Sequence, residues 1–225
     1  NSLATDDDGS CYYPSGCDEV CDSELEFDEC GVCGGDNDCV WFEDHVISNS
    51  ADGAHFVYAE DIDNDGDMDV VSASIYDHTI AWYENDGNAS FTEHIISSSV
   101  NGARDIYAQD VDGDGDMDVL TTSYNDDKVS WFENDGSQNF IERVISTSAD
   151  GAHSVYAEDV DSDGDVDVLS ASFGDHKIAW YENDGSEGFT KHAISTSADP
   201  SYIYPMDVDG DGDIDVLYAS FNDDK

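Results

Sequence analysis

Four nine-residue segments of nearly identical sequence recur along the chain, and this repetition constrains the fold more than any other feature. Each has aspartate at positions 1, 3, 5, 7 and 9 and glycine at position 6, and the segments are 61–69, 110–118, 159–167 and 207–215. Their first residues are 49, 49 and 48 positions apart, and Trp82, Trp131 and Trp180 keep the same interval of 49. Self-similarity at a fixed period near 50 predicts a repeat architecture.

Each repeat contains four short segments rich in β-branched and aromatic residues, bounded by Gly, Asn and Asp. In the first repeat these predicted strands are 56–61, 68–75, 79–84 and 91–97, and Asn85-Asp-Gly87 predicts a tight hairpin between the last two. Four strands per repeat are typical of a β-propeller blade, whereas a β-helix needs a much shorter period. The predicted fold is all-β, with blades of four antiparallel strands.

The two ends of the repeat region predict an incomplete ring. Residues 42–48 align with the predicted fourth strand 91–97, so we expect them to form an outer strand that helps close a propeller. Residues 221–225 stop just before the next tryptophan strand would begin. We therefore expect an arc of about 3.5–4 blades that belongs to a longer propeller.

The aspartate segments carry the ligand chemistry of a hard cation. Carboxylates at positions 1, 3, 5 and 9 surround one point, glycine at position 6 permits a sharp turn, and position 7 can offer its backbone carbonyl. Six to eight oxygen ligands suit Ca²⁺ better than Mg²⁺. We expect about four Ca²⁺ ions, one per loop; the candidate metal residues are Asp61, Asp63, Asp65, Asp67, Asp69, Asp110, Asp112, Asp114, Asp116, Asp118, Asp159, Asp161, Asp163, Asp165, Asp167, Asp207, Asp209, Asp211, Asp213 and Asp215.

The alternative is an acidic turn without metal, but five aspartates in nine residues repel one another strongly unless a counter-ion is present. The four position-7 carboxylates, such as Asp67, are expected to point outward. Replacing one of them should therefore harm the protein less than replacing Asp61 or Asp69.

The first half of each segment looks like an EF-hand loop, but position 12 is Ser72, Thr121, Ser170 or Tyr218 and never glutamate. A strand follows where an EF-hand has a helix. With an apolar second position and a following Val-Val or Val-Leu pair, the segments instead resemble the calcium loops of FG-GAP or VCBS repeats, the blades of integrin α-subunit propellers. The resemblance covers about residues 41–225 and implies a calcium-binding β-propeller.

All six cysteines lie in residues 1–40, which we interpret as a small separate segment preceding the repeats at 41–225. They are Cys11, Cys17, Cys21, Cys30, Cys33 and Cys39. An even, dense set of cysteines predicts a disulfide framework and an oxidising, extracellular environment, although the pairing stays open. Zinc is the alternative for Cys30-Gly-Val-Cys33, but no second motif completes a tetrahedral site. Residues 28–37 resemble cysteine-rich segments of large secreted proteins, including metalloproteases with thrombospondin motifs, and this resemblance implies location only.

Composition excludes several classes of partner. With 55 acidic and 6 basic residues the formal net charge is −49, so phosphate-dependent binding of nucleic acid and of anionic membranes is excluded. The sequence contains no run of about 18 apolar residues, so it predicts no membrane span, and no signal peptide is visible.

A meander of four strands predicts two faces with different roles. The aspartate loops and third hairpins share one end, here called the loop face. The other end, here called the link face, carries the second hairpins (76–78, 125–127, 174–176, 222–224) and the links between blades (51–55, 100–104, 149–153, 198–202). Because the repeats differ from one another mainly there, the link face is the candidate for ligand contact, with neutral drift as the alternative.

The basic residues do not predict a catalytic centre. His45, His94 and His192 recur at one strand position, and the remaining copy has Arg143 there. Because the four residues belong to different predicted blades, we expect them to lie apart. His55 and His153 repeat without a matching nucleophile. The lysines and the remaining arginine, Arg104, are also scattered through the repeats. The tryptophan pairs are expected to pack between blades, with a sugar-stacking platform as the alternative.

Three functional classes follow. The first is an extracellular, non-catalytic binding or adhesion module for glycan or protein, which the FG-GAP resemblance supports. The second is an accessory or catalytic part of a polysaccharide-active enzyme, which needs a base and clustered cations. The third is a structural spacer in a large secreted protein.

Overall fold

The computed structural model describes residues 45–197 and 199–221, and these ranges contain fourteen β-strands. Their bounds are β1 (Ala54–Glu60), β2 (Asp69–Ser74), β3 (Thr79–Asn85), β4 (Phe91–Ser97), β5 (Ala103–Gln109), β6 (Asp118–Ser123), β7 (Lys128–Asn134), β8 (Phe140–Ser146), β9 (Ala152–Glu158), β10 (Asp167–Ser172), β11 (Lys177–Asn183), β12 (Phe189–Ser195), β13 (Pro200–Met206) and β14 (Asp215–Ser220). The predicted all-β fold is confirmed, and the strands of the first repeat begin and end within about two residues of their predicted positions.

The strands form successive antiparallel sheets in chain order. The first three are β1-β2-β3-β4, β5-β6-β7-β8 and β9-β10-β11-β12. Strands β1, β5, β9 and β13 each contact the next in this series, so the first strand of every sheet lies on the inner side of the arc. This arrangement confirms the prediction of propeller blades of four antiparallel strands.

The core lies between neighbouring sheets. Every residue of β6 and β10 is buried, whereas β4, β8 and β12 consist almost entirely of exposed and half-buried residues. Trp82 packs in a cluster with Ile106 and Val119 of the next sheet, and Trp131 packs likewise with Val155 and Val168. The predicted packing of tryptophans between blades is confirmed, and each blade therefore depends on its neighbour for its core.

The fourth sheet has two strands, β13 and β14, in the described part of the chain. The predicted outer strand at residues 42–48 is wrong for residues 45–48, which lie in no strand, and Val46 is 71% exposed. An outer strand pairs with the third strand of its blade, and the described part of this blade has none. Residues 42–44 lie outside the described ranges.

The third hairpins occur where the Asn-Asp-Gly signals predict them, but they are wider than tight two-residue turns. The loop between β3 and β4 has five residues, 86–90, and the Asp86 N–H donates to the Ser90 carbonyl at 3.1 Å. The Asp86 carboxylate accepts the N–H groups of Asn88 and Ser90 at 2.9 and 3.2 Å. This local capping supports the wider loop.

The predicted disulfide segment at 1–40, its cysteines and its boundary with the repeats all lie outside the described residues. Within the described ranges, no helix is long and apolar enough to cross a membrane.

Candidate metal centres and the link face

Each aspartate loop brings three carboxylates together. In the first loop, Asp61, Asp63 and Asp69 offer oxygen atoms that all lie within 4.8 Å of one another. The same positions 1, 3 and 9 form the corresponding groups in the other loops: Asp110, Asp112 and Asp118; Asp159, Asp161 and Asp167; Asp207, Asp209 and Asp215. The repeat therefore produces four equivalent carboxylate groups.

The turn in each loop depends on the glycine at position 6. Gly66 has φ of +98°, which lies beyond the left-handed region that other residues tolerate. Its N–H donates to Asp61 Oδ2 at 3.0 Å, and the N–H of Asp65 donates to Asp61 Oδ1 at 3.1 Å. The backbone thus folds around the position-1 carboxylate, and Gly115, Gly164 and Gly212 have φ between +97° and +100°.

The position-9 carboxylate joins the loop to the rest of its blade. Asp69 is fully buried; its Oδ2 accepts the N–H of Ile62 at 3.1 Å and its Oδ1 accepts that of Asn85, the last residue of β3, at 2.8 Å. Asp118 and Asp167 accept the equivalent pairs of bonds in the next two blades. Asp215 is exposed, because the described part of its blade has no third strand.

Positions 5 and 7 do not belong to these groups of three. Asp65 Oδ1 accepts the Asp67 N–H at 2.9 Å within the loop. The Asp67 carboxylate lies against Gly87 of the third hairpin, where an added Cβ would be 2.5 Å from Asp67 Oδ2. The same placement holds for Asp116 beside Gly136 and Asp165 beside Gly185. The third hairpin and the aspartate loop therefore share the loop face, as the meander predicts.

Electrostatics in the loops disfavour ionised carboxylates that lack a counter-ion. Burial raises the pKa of Asp118 to about 7, against the lowering effect of its two backbone hydrogen bonds. Burial is also the main cause that raises the pKa of Asp63 and Asp112, and neighbouring carboxylates raise both further. A cluster of hard oxygen donors with this excess of negative charge fits a divalent cation such as Ca²⁺.

The histidines at the outer strands stay on separate blades. His94 Nε2 lies 2.8 Å from Glu84 Oε2 and its ring stacks on Trp82 at 4.5 Å. His192 makes the same pair with Glu182 at 2.6 Å, and Arg143 pairs with Glu133. Half of the His94 side chain is exposed, and these residues do not converge on one ion.

The link face is built from backbone hydrogen bonds between links and hairpins. The Ile75 N–H donates to the Gly53 carbonyl at 3.0 Å, and the Tyr124 N–H donates to the Gly102 carbonyl at 3.0 Å. Each link also contacts the preceding blade, since the Val100 N–H donates to the His78 carbonyl at 3.0 Å. The links and second hairpins therefore lie at one end of the arc, opposite the aspartate loops.

A cavity of about 200 Å³ opens on the link face. It is lined by one polar residue and one aromatic residue from each of three successive blades: Arg104 and Tyr124, His153 and Phe173, Ser201 and Phe221. These residues are far apart in the sequence. Arg104 is the one lysine or arginine of this lining, so the lysines and arginines stay scattered as predicted, while the curvature of the arc places positions 49 and 48 residues apart side by side.

Arg104 and His153 determine the charge of this cavity. The Arg104 guanidinium carbon lies 4.9 Å from the centre of the Tyr124 ring, and His55 Nδ1 donates to the Arg104 carbonyl at 2.8 Å. Burial, followed by the nearby Arg104 charge, lowers the pKa of His153 to about 4. At neutral pH His153 is therefore uncharged and Arg104 supplies the positive charge.

An aromatic ladder on the inner strands was missed by the sequence reasoning. Tyr58, Tyr107, Tyr156 and Tyr204 lie on β1, β5, β9 and β13, and successive ring centres are 4.6, 4.3 and 5.4 Å apart. Their sequence spacing of 49, 49 and 48 equals that of the aspartate loops and could have identified them. The ladder links four blades along the inner side of the arc.

A family model described as FG-GAP-like repeat matches three overlapping segments of the chain, residues 61–121, 110–170 and 159–218. Each matched segment begins at the first aspartate of one loop and ends just after the next loop. No curated protein matches the chain.

Two solved structures with TM-scores above 0.5 show the same fold at low sequence identity. A lectin from Agrocybe aegerita that recognises non-reducing terminal N-acetylglucosamine is similar at 18% identity and a TM-score of 0.54, over 74% of this chain and 47% of the lectin. The BBS1N protein in its complex with ARL6DN is similar at 11% identity and a TM-score of 0.52, over 75% and 52%. The biofilm matrix protein Bap1 of V. cholerae has 20% identity and a TM-score of 0.45, over 77% and 29%. The chain thus spans about half the length, or less, of these proteins.

Proposed function

The chain belongs to the FG-GAP-like repeat family, and on that basis we propose that it is a calcium-dependent, non-catalytic binding module that acts outside the cell. Each of the four aspartate loops binds one Ca²⁺, and the link face contacts the ligand, a glycan or an extracellular protein. The observation that carries the proposal is the group of three carboxylates that recurs at positions 1, 3 and 9 of every loop.

Calcium acts in this proposal as a structural cofactor. The aspartates at positions 1, 3 and 9 supply carboxylate ligands. An ion there favours the ionised form of Asp63 and Asp112, whose pKa is raised by burial and then by neighbouring carboxylates. The loops contain 20 of the 55 acidic residues, and four Ca²⁺ ions reduce the net charge from −49 to −41. Because the position-9 carboxylate of the first three loops also joins the loop to its third strand, occupancy stabilises the blade as well as the loop.

Two observations support a module without catalytic activity. The base that lines the cavity with Arg104 is His153, whose pKa of about 4 makes it a weak proton acceptor at neutral pH. None of the other described lysines and arginines lines this cavity; Lys128 pairs with Glu142 at 2.9 Å and Lys177 pairs with Asp175 at 2.7 Å. A polysaccharide-active enzyme therefore has weaker support, and a structural spacer is the remaining alternative.

The cysteine content supports an extracellular location. Six cysteines within residues 1–40 are typical of proteins from oxidising compartments. Calcium sites of extracellular modules have dissociation constants on the order of 10⁻⁴–10⁻³ M, and we expect the four loops to bind calcium in this range.

Calorimetric titration of the chelator-treated protein tests the calcium proposal. We expect about four Ca²⁺ ions per chain, weaker binding of Mg²⁺, and a thermal midpoint that rises with calcium concentration. Asp61→Asn should remove one binding event, whereas the matched Asp67→Asn variant of the same loop should retain all of them. Unchanged melting in EDTA together with no titratable calcium would exclude the proposal.

A glycan array probed with and without Ca²⁺ tests the binding role. A binding module should bind specific glycans only when calcium is present, and a spacer should bind none under either condition. Release of unsaturated products from uronic-acid polymers would identify an enzyme instead.

A further inference from the structure

We propose that the cavity of the link face binds a hexuronic acid, a sugar ring that carries a carboxylate, with Arg104 as the partner of that carboxylate. This inference rests on the proposed function, because it names the ligand class of the same face. It is carried by the buried Nε of Arg104, which has no hydrogen-bond partner, and by the aromatic residues that line the cavity.

Within the described part of this strongly acidic protein, Arg104 is a cation that pairs with no carboxylate. Its Nε is buried and has no hydrogen-bond partner, and within the described ranges no carboxylate lies within 4.0 Å of its guanidinium. By contrast, Lys128, Arg143 and Lys177 each pair with an acidic side chain. Burial also lowers the pKa of Arg104. A ligand carboxylate would accept two charge-assisted hydrogen bonds from the N–H groups of the Arg104 guanidinium.

Described acidic residues near the cavity have other partners. Asp175 binds Lys177 at 2.7 Å, Asp199 contacts His176, and Asp127 accepts the Gly151 N–H at 3.0 Å. Within the described ranges none of these carboxylates pairs with Arg104, so we expect an anion from outside the chain to reach it.

The aspartate loops are too distant to repel such a ligand strongly. They lie at the far end of seven-residue strands, which at about 3.3 Å per residue are about 23 Å long. The screening length at physiological ionic strength is about 8 Å. Among the residues that line the cavity, Arg104 carries the charge, because His153 is neutral at pH 7.

The walls of the cavity fit the ring of a sugar. Tyr124, Phe173 and Phe221 come from the second hairpins of three successive blades, and Phe221 is 75% exposed. Aromatic faces pack against the C–H faces of a ring, while a few polar groups fix its orientation. A volume of about 200 Å³ accommodates one ring, so we expect recognition of a single acidic residue at the end of a glycan.

The described arc has one such site because its blades differ at one register position. His55, Arg104, His153 and Ser201 occupy equivalent places on β1, β5, β9 and β13, and only the second blade has arginine there. The neighbouring blades also show that histidine is compatible with this position. Arg104→His is therefore a variant that the fold already accepts at two equivalent positions.

The test uses D-glucuronate and D-glucose, which differ in the carboxylate, titrated into the full calcium-loaded chain and followed by NMR chemical shifts. We expect glucuronate to bind at least about tenfold more tightly than glucose, and Arg104→His to remove most of that difference, because two charge-assisted hydrogen bonds are lost. The matched control is Arg143→His, which removes an arginine at a position where the other blades have His94 and His192. It should leave glucuronate binding unchanged.

Equal binding of the two sugars, no binding of glucuronate, or full binding by Arg104→His would overturn the proposal. Calcium titration of the same samples separates this failure from that of the proposed function. If about four Ca²⁺ ions bind and glucuronate does not, the ligand assignment fails and the calcium-dependent module stands. If calcium does not bind, the proposed function fails regardless of the sugar result.

Discussion

Replacement of Asp69 by alanine should destabilise the first blade far more than replacement of Asp67, two residues earlier in the same loop. The fully buried Asp69 carboxylate accepts the backbone N–H groups of Ile62 and Asn85 at 3.1 and 2.8 Å. Loss of an acceptor from a buried N–H costs about 1–3 kcal/mol, so the two together cost about 4 kcal/mol. The Asp67 carboxylate lies against the exposed third hairpin, and its loss should cost about 0.5 kcal/mol.

The two variants should be compared by thermal and urea unfolding, in EDTA and in saturating Ca²⁺. For a unit of this size, about 4 kcal/mol lowers the thermal midpoint by about 8–16 °C. The difference between the variants should already be present in EDTA, because the hydrogen bonds do not require the metal, and it should grow in calcium as the ligand is lost. Asp69→Asn, which keeps one acceptor, should fall between them. Equal thermal midpoints for Asp69→Ala and Asp67→Ala would show that the two hydrogen bonds to Asp69 do not stabilise the first blade.

Two further predictions concern the interfaces between blades. Asp105 accepts the Val155 N–H at 2.9 Å across one interface, and burial raises its pKa to about 6 from 3.8. The Asp105 carboxyl is protonated in both the folded and the unfolded state below pH about 4. Above pH about 6 it is ionised in both states, and its buried charge costs the folded state about 3 kcal/mol. Wild type should therefore lose that stability relative to Asp105→Asn as pH rises from 4 to 6 in urea unfolding; a constant difference would contradict this. Tyr107 packs between Tyr58 and Tyr156, so Tyr107→Leu should cost about 1–3 kcal/mol more than Tyr107→Phe, and equal urea midpoints would exclude a role for the rings.

The features that could be predicted from the sequence are those that repeat in phase. The aspartate loops, the tryptophans and the strand positions recur at intervals of 49 or 48, so each copy supports the others. Alternating apolar residues and turn signals then identify four strands per repeat. The FG-GAP resemblance follows from the same segments, and the matched residues confirm it.

The convergence of the carboxylates is less accessible to sequence reasoning. Alternating aspartates indicate five candidate ligands in each loop, but the backbone turn at Gly66 decides which of them meet. In the structure Asp61, Asp63 and Asp69 come together while Asp67 faces Gly87. Spacing of residues in a loop cannot supply this, because it depends on a φ value near +98° and on the hydrogen bonds that fix it.

The cavity of the link face depends on how successive blades are placed. Arg104, His153 and Ser201 are 49 and 48 residues apart, and each looks isolated in its own repeat. The close packing of β5, β9 and β13 makes them neighbours. Residues 45–48 illustrate the converse, because they match a strand by alignment but have no third strand to pair with in the described part of the chain.

Anomalous diffraction from crystals grown with Ca²⁺, or with a lanthanide in its place, shows whether each of the four aspartate loops binds calcium. We expect one strong peak in each of the four loops, among the carboxylates of positions 1, 3 and 9, with no comparable peak at position 7. Loops that remain without a peak at saturating calcium would contradict the calcium-dependent module.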